Sequence, residues 1–595
     1  MKEKYEEAIR INEAVADKNK RRANLVGYLK LILFVLFVMV IYYAVKNAGN
    51  LIYPTLVLIL FLIQIAAWLY HARLNEINHH AEGMIEINHR HIMRITGDWT
   101  DFADTGEEFF DREHSYGADL DISGKKSLFQ FLNVTHTWYG RQALADDLLN
   151  SSYSREEIAG RQKAVEELSQ NTELINELEY YFTQAGMSSD LPALVKSFEN
   201  SRPFIRSRVL CLLLTYLPVL TIIIGGIALI FRQGMLYQPT AVLLAAQIVL
   251  WLGGTAATQK QLRGISSLPG KFSAFHEVIE LATKAGFKTA ELRGIQTVLG
   301  GTDHSAVQAF RQLAKIAEKV NIRNNVFCYL TLNPLLLWDL ECAISFSSWK
   351  QDYGHACASW FEALGKLESL MSLAVLPNAL SQTCFPEFTD TRSAAASELG
   401  HPLLGNDERV TNDLQLKDQI LIISGSNMSG KTTYLRTVGI NIVLARAGAP
   451  VCAKSMRCSD LHLVTSMRIA DDLNEGISTF YAELKRIKMI LGTAGKDQGT
   501  LFLIDEIFRG TNSADRLAGA RAVIQKLSKL SVIGMVTTHD LELCELEQQI
   551  SNVRNFNFSE HYQNGKICFD YKMRLGKSKT TNGRYLMELV GIFDN

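Results

Sequence analysis

Charge of one sign is what this sequence most lacks. Its 61 Lys and Arg stand against 62 Asp and Glu, a formal net charge of −1 over 595 residues. The strong positive field that holds a protein on nucleic acid by bulk electrostatics is therefore absent, and any such contact has to be local. Paired cysteines are also missing: the nine cysteines are an odd number and none stands in C-x-x-C spacing. That excludes a zinc ribbon or a dithiol redox centre and predicts reduced, mostly buried thiols in a cytosolic compartment. With 40 Gly and 11 Pro, 47% hydrophobic and 21% charged residues, the chain is neither collagen-like nor disordered. Its length corresponds to roughly four typical domains, which excludes one compact core.

What is present is a set of concentrated apolar runs. Leu25–Val45, broken only by Lys30, and Leu51–Tyr70 each approach the ~20 residues that a bilayer-spanning helix needs. Asn47, Gly49 and Asn50 supply a turn between them. Val209–Phe231 and Leu236–Gly254 form a second pair around Arg232, Gln233 and Gly234. The first run is too long, and too closely followed by the second, for a cleaved signal. Basic residues gather outside the hairpins, with Lys18, Lys20, Arg21 and Arg22 before the first and Arg202, Arg206, Lys260 and Arg263 flanking the second. Each hairpin link carries only Lys46 or Arg232. This bias predicts four spans in an inner, cytoplasmic membrane, with both termini and all soluble mass cytoplasmic. A fifth apolar run, Val326–Trp349, contains Asn333, Asp339 and Glu341. Charges there would be costly at mid-bilayer, so it is read as a buried soluble helix.

Residues 71–208 and 270–380 carry helical spacing, and Ser154 with Glu157 forms a capping box at a helix start. Beyond Pro402 the pattern becomes strand, glycine turn, helix. Strands are predicted at Gln419–Ser424, Thr500–Ile504 and Val532–Thr537, with a helix over Thr433–Ala447; this alternation predicts a mainly parallel sheet. The resulting organisation is a basic N-terminus (1–24), a first hairpin (25–70), a helical region (71–208), a second hairpin (209–254), more helices (255–400) and an α/β P-loop NTPase domain (401–595).

Gly425-Ser426-Asn427-Met428-Ser429-Gly430-Lys431-Thr432 fits G-x-x-x-x-G-K-[ST] between a strand and a helix. There, backbone N–H groups and the helix N-terminus converge on phosphates. Lys431 is placed to reach the β/γ-phosphates of ATP and Thr432 to ligate Mg²⁺. Leu501–Glu506 is an apolar strand ending in two acids, a Walker B arrangement 74 residues beyond Lys431. Asp505 would hold the magnesium through water and Glu506 would orient and deprotonate the attacking water. His539, just past a third strand, stands where a γ-phosphate sensor would sit.

Ile423–Arg436, including Asn427, Met428 and Thr433, resembles the P-loop of the MutS family of DNA mismatch-repair ATPases, whose ATPase domain is of the ABC class. Arg468–Leu473 followed by Gly476–Phe480 and Glu483 is similar to the family's signature segment, Asp505–Thr511 to its Walker B stretch and Thr538–Leu543 to its histidine switch. Fainter matches at Leu128, Leu132, Thr137, Gly140, Arg141, Leu144, Ile158, Arg161, Ala164 and Val165, at Leu370–Ala374, and at Gly400–Leu404 resemble the family's helical core. The likeness covers roughly 127–200 and 270–595. It implies a homodimer with composite ATP sites, Ser478 serving the opposite subunit's nucleotide, and DNA as partner. This chain departs from the pattern in four places. No Phe-x-Glu wedge precedes residue 127, and residues 310–360 stand where a longer clamp would be. Phe508 replaces a glycine, and Arg409–Val410 replace an aromatic that stacks on adenine, a place the guanidinium could take.

Three functions fit: an ATP-driven switch of the MutS kind, anchored to the membrane and acting on DNA; a transporter-like ATPase; and a membrane scaffold that uses ATP to control dimerisation. DNA binding without the wedge is expected to be weak and indifferent to mismatches.

Overall fold

The computed structural model describes residues 1–47, 50, 52–186, 191–199, 203–266, 268–301, 305–468, 479–495, 499–508, 512–563 and 566–578. The chain is mostly helical and divides into two compact units. One comprises Met1–Trp99 with Glu173–Tyr180, the other Thr100–Thr172 with Tyr181–Asn595.

The first unit is built on two 45-residue helices, Lys2–Lys46 and Ile52–Thr96. Neither stops where its apolar run stops. The basic N-terminus is helical from Lys2, and the second helix continues past Tyr70 to Thr96, carrying Gly83 in its interior against the Tyr180 ring, and ends before Gly97 at φ 96°. Lys30, the lone charge in the first run, lies with Nζ 3.1 Å from His71 Nδ1, just beyond the end of the second run. Toward the far end the unit closes around a polar core. The Tyr5 and His91 rings stack at 4.9 Å. Arg90 donates to Glu179 at 2.6 Å, Asn176 donates to Asn88 at 3.2 Å and His80 pairs with Glu177 at 2.9 Å.

Among the described residues four helices are long and apolar enough to cross a membrane: Lys2–Lys46, Ile52–Thr96, Val209–Ile230 and Gly234–Ser266. Their apolar side chains, Leu31, Leu62, Leu213 and Leu252 among them, face outward from the protein. The fifth run corrects the sequence expectation. It is not one buried helix but two, Val326–Leu336 and Trp338–Tyr353, with a bend of 79° between the first and the helical stretch Trp338–Ala379 that the second opens. Leu337 adopts φ 51° at the break and Pro334 removes a helical N–H just before it. Only the second half is buried.

The helical body of the second unit includes Trp138–Leu149, Arg155–Gln170 and Cys357–Leu373. Ser154 and Glu157 form the expected capping box. Arg161 ties this body to the C-terminal domain: it pairs with the buried Asp147, and its Nε donates to the Ala447 carbonyl at 2.8 Å, at the end of the helix Lys431–Ala447. All nine cysteines are free thiols, five of them buried. Burial pushes Cys342, Cys357 and Cys458 up to about 12.

Among the described residues ten strands complete the second unit: β1 Glu387–Phe388, β2 Ser393–Leu399, β3 Asn412–Lys417, β4 Ile420–Gly425, β5 Ser455–Cys458, β6 His462–Ser466, β7 Thr500–Asp505, β8 Val532–Thr538, β9 Val553–Gln563 and β10 Lys566–Leu575. A small sheet runs β1-β5-β2-β3, and the main sheet runs β10-β9-β4-β8-β7-β6. All neighbours in the main sheet are parallel except the β9–β10 hairpin. Strands β4, β7 and β8 are buried along their whole length, as expected of a sheet covered on both faces. Register aligns their C-terminal ends, Ser424 beside Thr538 and Asp505 beside Thr537. Chemistry-bearing residues that follow these strands are thereby brought to one edge.

Candidate nucleotide site

β4 delivers the chain into the loop 425–430, and Gly430, at φ 102°, turns it into the helix Lys431–Ala447. A side chain is disfavoured in that conformation, and a Cβ there would lie 3.1 Å from the Tyr571 ring. Lys431 folds back over its own loop, Nζ donating to the carbonyls of Gly425 and Ser426 at 2.8 Å each, with His539 Nε2 at 3.5 Å. Among the described residues Ser429 Oγ is buried without a hydrogen-bond partner.

The acid at the end of β7 is held on both oxygens. Thr432 Oγ1 donates to Asp505 at 3.0 Å and Thr537 Oγ1 at 2.5 Å. Glu506 follows at φ 58°, its N–H 3.2 Å from both the carbonyl and the hydroxyl of Thr537. A non-glycine residue in that region is strained, and such strain gathers at functional sites. Here it turns the Glu506 carboxylate to within 2.6 Å of His539 Nε2. Arg516 grips Asp540 through two bonds, at 3.0 and 3.2 Å, and so fixes the turn that carries His539.

Ser426–Tyr434, Arg436, Arg468, Asp505, Glu506 and Tyr571 border a cleft of about 950 Å³, near the upper end for a ligand pocket. The residues suit a nucleotide triphosphate with a divalent cation: a lysine and a helix N-terminus for phosphate, a hydroxyl and a carboxylate for the metal, and an orphaned serine hydroxyl in the loop.

One family model, MutS domain V, matches residues 421–595 and contains this geometry, and a second, MutS domain III, matches 112–374. The chain belongs to the MutS family. It is 34% identical to the DNA mismatch repair protein MutS of Acetivibrio thermocellus over 241 residues, 39% of this chain and 27% of that protein. It is 27% identical to MutS of Staphylococcus haemolyticus over 412 residues, 63% of this chain and 42% of that one. With MutS protein homolog 4 of Mus musculus it shares 28% over 340 residues, 53% and 35% of the two chains. The chain thus spans less than half the length of these curated relatives.

Against the MutS pattern, the structure brings Lys431, Thr432, Asp505, Glu506 and His539 together, and sets Ser426, Asn427, Met428, Ser429, Gly430 and Thr433 along the cleft. Ser478 and the stretch 509–511 lie outside the described residues. Arg409 does not border the cleft. Its guanidinium donates to the carbonyls of His401 and Leu404 and to Asn406, at 2.9, 2.5 and 2.9 Å, and closes the loop it belongs to. Val410 and Tyr571 border the cleft instead. Tyr571 sits at φ 54° in a bulge between Phe569 and Met573, and Asn412 on β3 bonds the bulge's backbone. The sequence carried no signal for this residue beyond an aromatic in a β-hairpin.

Sequence reasoning also missed the segment just before residue 127. Asp119 accepts from Thr465 Oγ1, Met467 N–H and Arg468 N–H at 2.6, 3.1 and 2.8 Å. Asp121 pairs with Arg468 and, at 3.0 Å, with Arg436. Burial and the neighbouring Arg468 charge lower the Arg436 pKa, so Asp121 compensates a costly pair of cations at the cleft's edge. The family match, which begins at 112, includes this strap.

Proposed function

We propose that the protein is a membrane-anchored ATP hydrolase of the MutS kind, an ATP-driven conformational switch that acts on DNA. The observation that carries this reading is the convergence of Lys431, Thr432, Asp505, Glu506 and His539 at the C-terminal edge of one parallel sheet. Lys431 and the backbone N–H groups of 425–432 hold the phosphates, while Thr432 and Asp505 hold the Mg²⁺. When bound, Mg²⁺ neutralises phosphate charge. Glu506 positions the attacking water and accepts its proton. His539, bonded to Glu506, orients that carboxylate and senses the terminal phosphate. Placement and charge neutralisation account for most of the acceleration in phosphoryl transfer, so these residues suffice without a covalent step.

The family likeness supports a homodimer in which Ser478 of each subunit completes the other's site, and DNA as the partner. The four apolar helices and the flanking basic residues support anchoring in the cytoplasmic membrane, with the ATPase domain and both termini in the cytoplasm. Hydrolysis measured in lipid nanodiscs, without DNA and with homoduplex, G·T-mismatched or branched DNA, tests the reading. Stimulation by at least one DNA is expected. A rate indifferent to every DNA at low salt would remove DNA from the account and leave a membrane scaffold controlled by ATP.

A further inference from the structure

The second apolar hairpin has a neighbour that does not span. Helix Val326–Leu336 is closed at its start by Asn325, whose side chain accepts from the N–H groups of Phe327 and Cys328. Its outward face is apolar, with Val326 71%, Phe327 77% and Leu330 56% exposed. At 100° per residue Val326, Phe327, Leu330 and Pro334 fall within one arc of the helix. Tyr329 and Asn333, which border that arc on one side, pack toward helix Gly234–Ser266. The Tyr329 ring lies 5.8 Å from that of Trp251, and Asn333 shares a small cavity with Gly254 and Thr258. The charges of this region stay below the bend: Glu341 pairs with Lys319 at 3.2 Å, and Asp339, buried, lies 3.8 Å from Arg323.

A soluble body has no use for such a face in water, and large exposed apolar patches mark interaction surfaces. The occupant follows from continuity. The patch adjoins the exposed apolar band of Gly234–Ser266, which includes Val242, Val249 and Leu252, and a Trp–Tyr pair marks the join, as at membrane–water boundaries. At 11 residues the helix is about 16 Å long, too short for the ~30 Å hydrocarbon core. The 79° bend returns the chain to the buried helix Trp338–Tyr353, so it does not cross.

We propose that helix Val326–Leu336 inserts into the headgroup–acyl boundary of the bilayer beside the second hairpin. It gives the helical body a non-spanning lipid contact that fixes the body's height and tilt against the membrane. This rests on the reading that Gly234–Ser266 spans.

The test uses the full chain in phosphatidylcholine–phosphatidylglycerol vesicles, with the half-buried Cys211, Cys328, Cys384 and Cys568 replaced by Ser. An environment-sensitive fluorophore is placed in turn at Phe327→Cys, Leu330→Cys, Leu252→Cys and Lys315→Cys, each variant first checked for unchanged size and ATP hydrolysis. Lipid carrying a nitroxide near the headgroup should quench the labels at 327, 330 and 252 and spare 315, while aqueous iodide should do the reverse. If 252 is quenched by lipid but 327 and 330 only by iodide, the face is wet and the proposal fails. If neither agent reaches 327 and 330, protein covers them, a second copy included, and the proposal fails equally. Loss of lipid quenching at 252 itself would overturn the spanning reading on which this one stands.

Discussion

Phe508 replaces a glycine of the family pattern, and the structure gives both the reason for the glycine and the compensation for its loss. The residue sits at φ 62°, a conformation a side chain resists by ~1–2 kcal/mol. The residue is nevertheless 6% exposed, its ring 5.7 Å from the Phe480 ring and with one edge toward Gly519, where a Cβ would come within 2.7 Å of it. Phe508→Gly relieves the backbone but empties a core position, a loss of ~3–5 kcal/mol by analogy with Phe→Ala. The net destabilisation is then about 2–3 kcal/mol, which for a domain of this size lowers the melting midpoint by ~4–12 °C. Gly519→Ala alone should also destabilise, by ~1–3 kcal/mol, because the new methyl displaces the ring. In the double variant that clash has no partner, so the two effects should not add, with a coupling of ~0.5–3 kcal/mol. The assay is protease resistance of peptides from residues 479–527 across a temperature ramp, read by mass spectrometry, which reports this domain and not the whole chain. An unchanged or higher midpoint for Phe508→Gly, or additive losses in the double variant, would refute the reasoning.

His91 is held at a pKa of about 4 against an ordinary 6.5, first by burial and then by the Arg94 charge, with Glu179 opposing. A depressed pKa means that its stabilisation is present above about pH 6.5 and is lost as pH falls toward 4, by at most ~1.4 kcal/mol per unit. Protease resistance of peptides from Lys2–Lys46 and Ile52–Thr96 should therefore weaken between about pH 7 and pH 5, and less so in His91→Gln; identical profiles would count against it. For assembly, mixing Lys431→Ala with Ser478→Arg protein should place both defects in one site of the heterodimer and restore activity at the other. Heterodimers that form but recover nothing would argue against composite sites. DNA binding, followed by fluorescence anisotropy, should be weak, steeply salt-dependent and nearly blind to one G·T pair. A preference above about tenfold, or ~1.4 kcal/mol, would reveal a lesion reader.

The nucleotide site was legible where its chemistry is local. Residues 425–432 form one contiguous motif, and Asp505, Glu506 and His539 follow apolar strands whose ends a parallel sheet must align. What stayed hidden comes from afar. The Asp121–Arg468 pair joins residues 347 apart, and Tyr571 reaches the cleft only through a bulge in a late hairpin. No periodicity reports such contacts. By position the Arg409 guanidinium could take the aromatic's place, but beside three acceptors of its own loop it closes that loop and does not border the cleft. The run Val326–Trp349 reads as one buried helix because Asp339 and Glu341 argue against a span, but hydropathy does not say which solvent faces an apolar residue, and Leu337 carries no mark of the left-handed turn it makes. The capping box at Ser154 was readable because it is decided within four residues.

The central claim is that this edge of the sheet binds ATP with one residue and breaks it with another. ATP binding and hydrolysis measured side by side on wild type, Lys431→Ala and Glu506→Gln in nanodiscs test it most directly. Lys431→Ala should lose binding, whereas Glu506→Gln should bind as wild type does and hydrolyse ~10²-fold or more slowly, the range expected for a lost general base. Equal hydrolysis by wild type and Glu506→Gln would contradict the account.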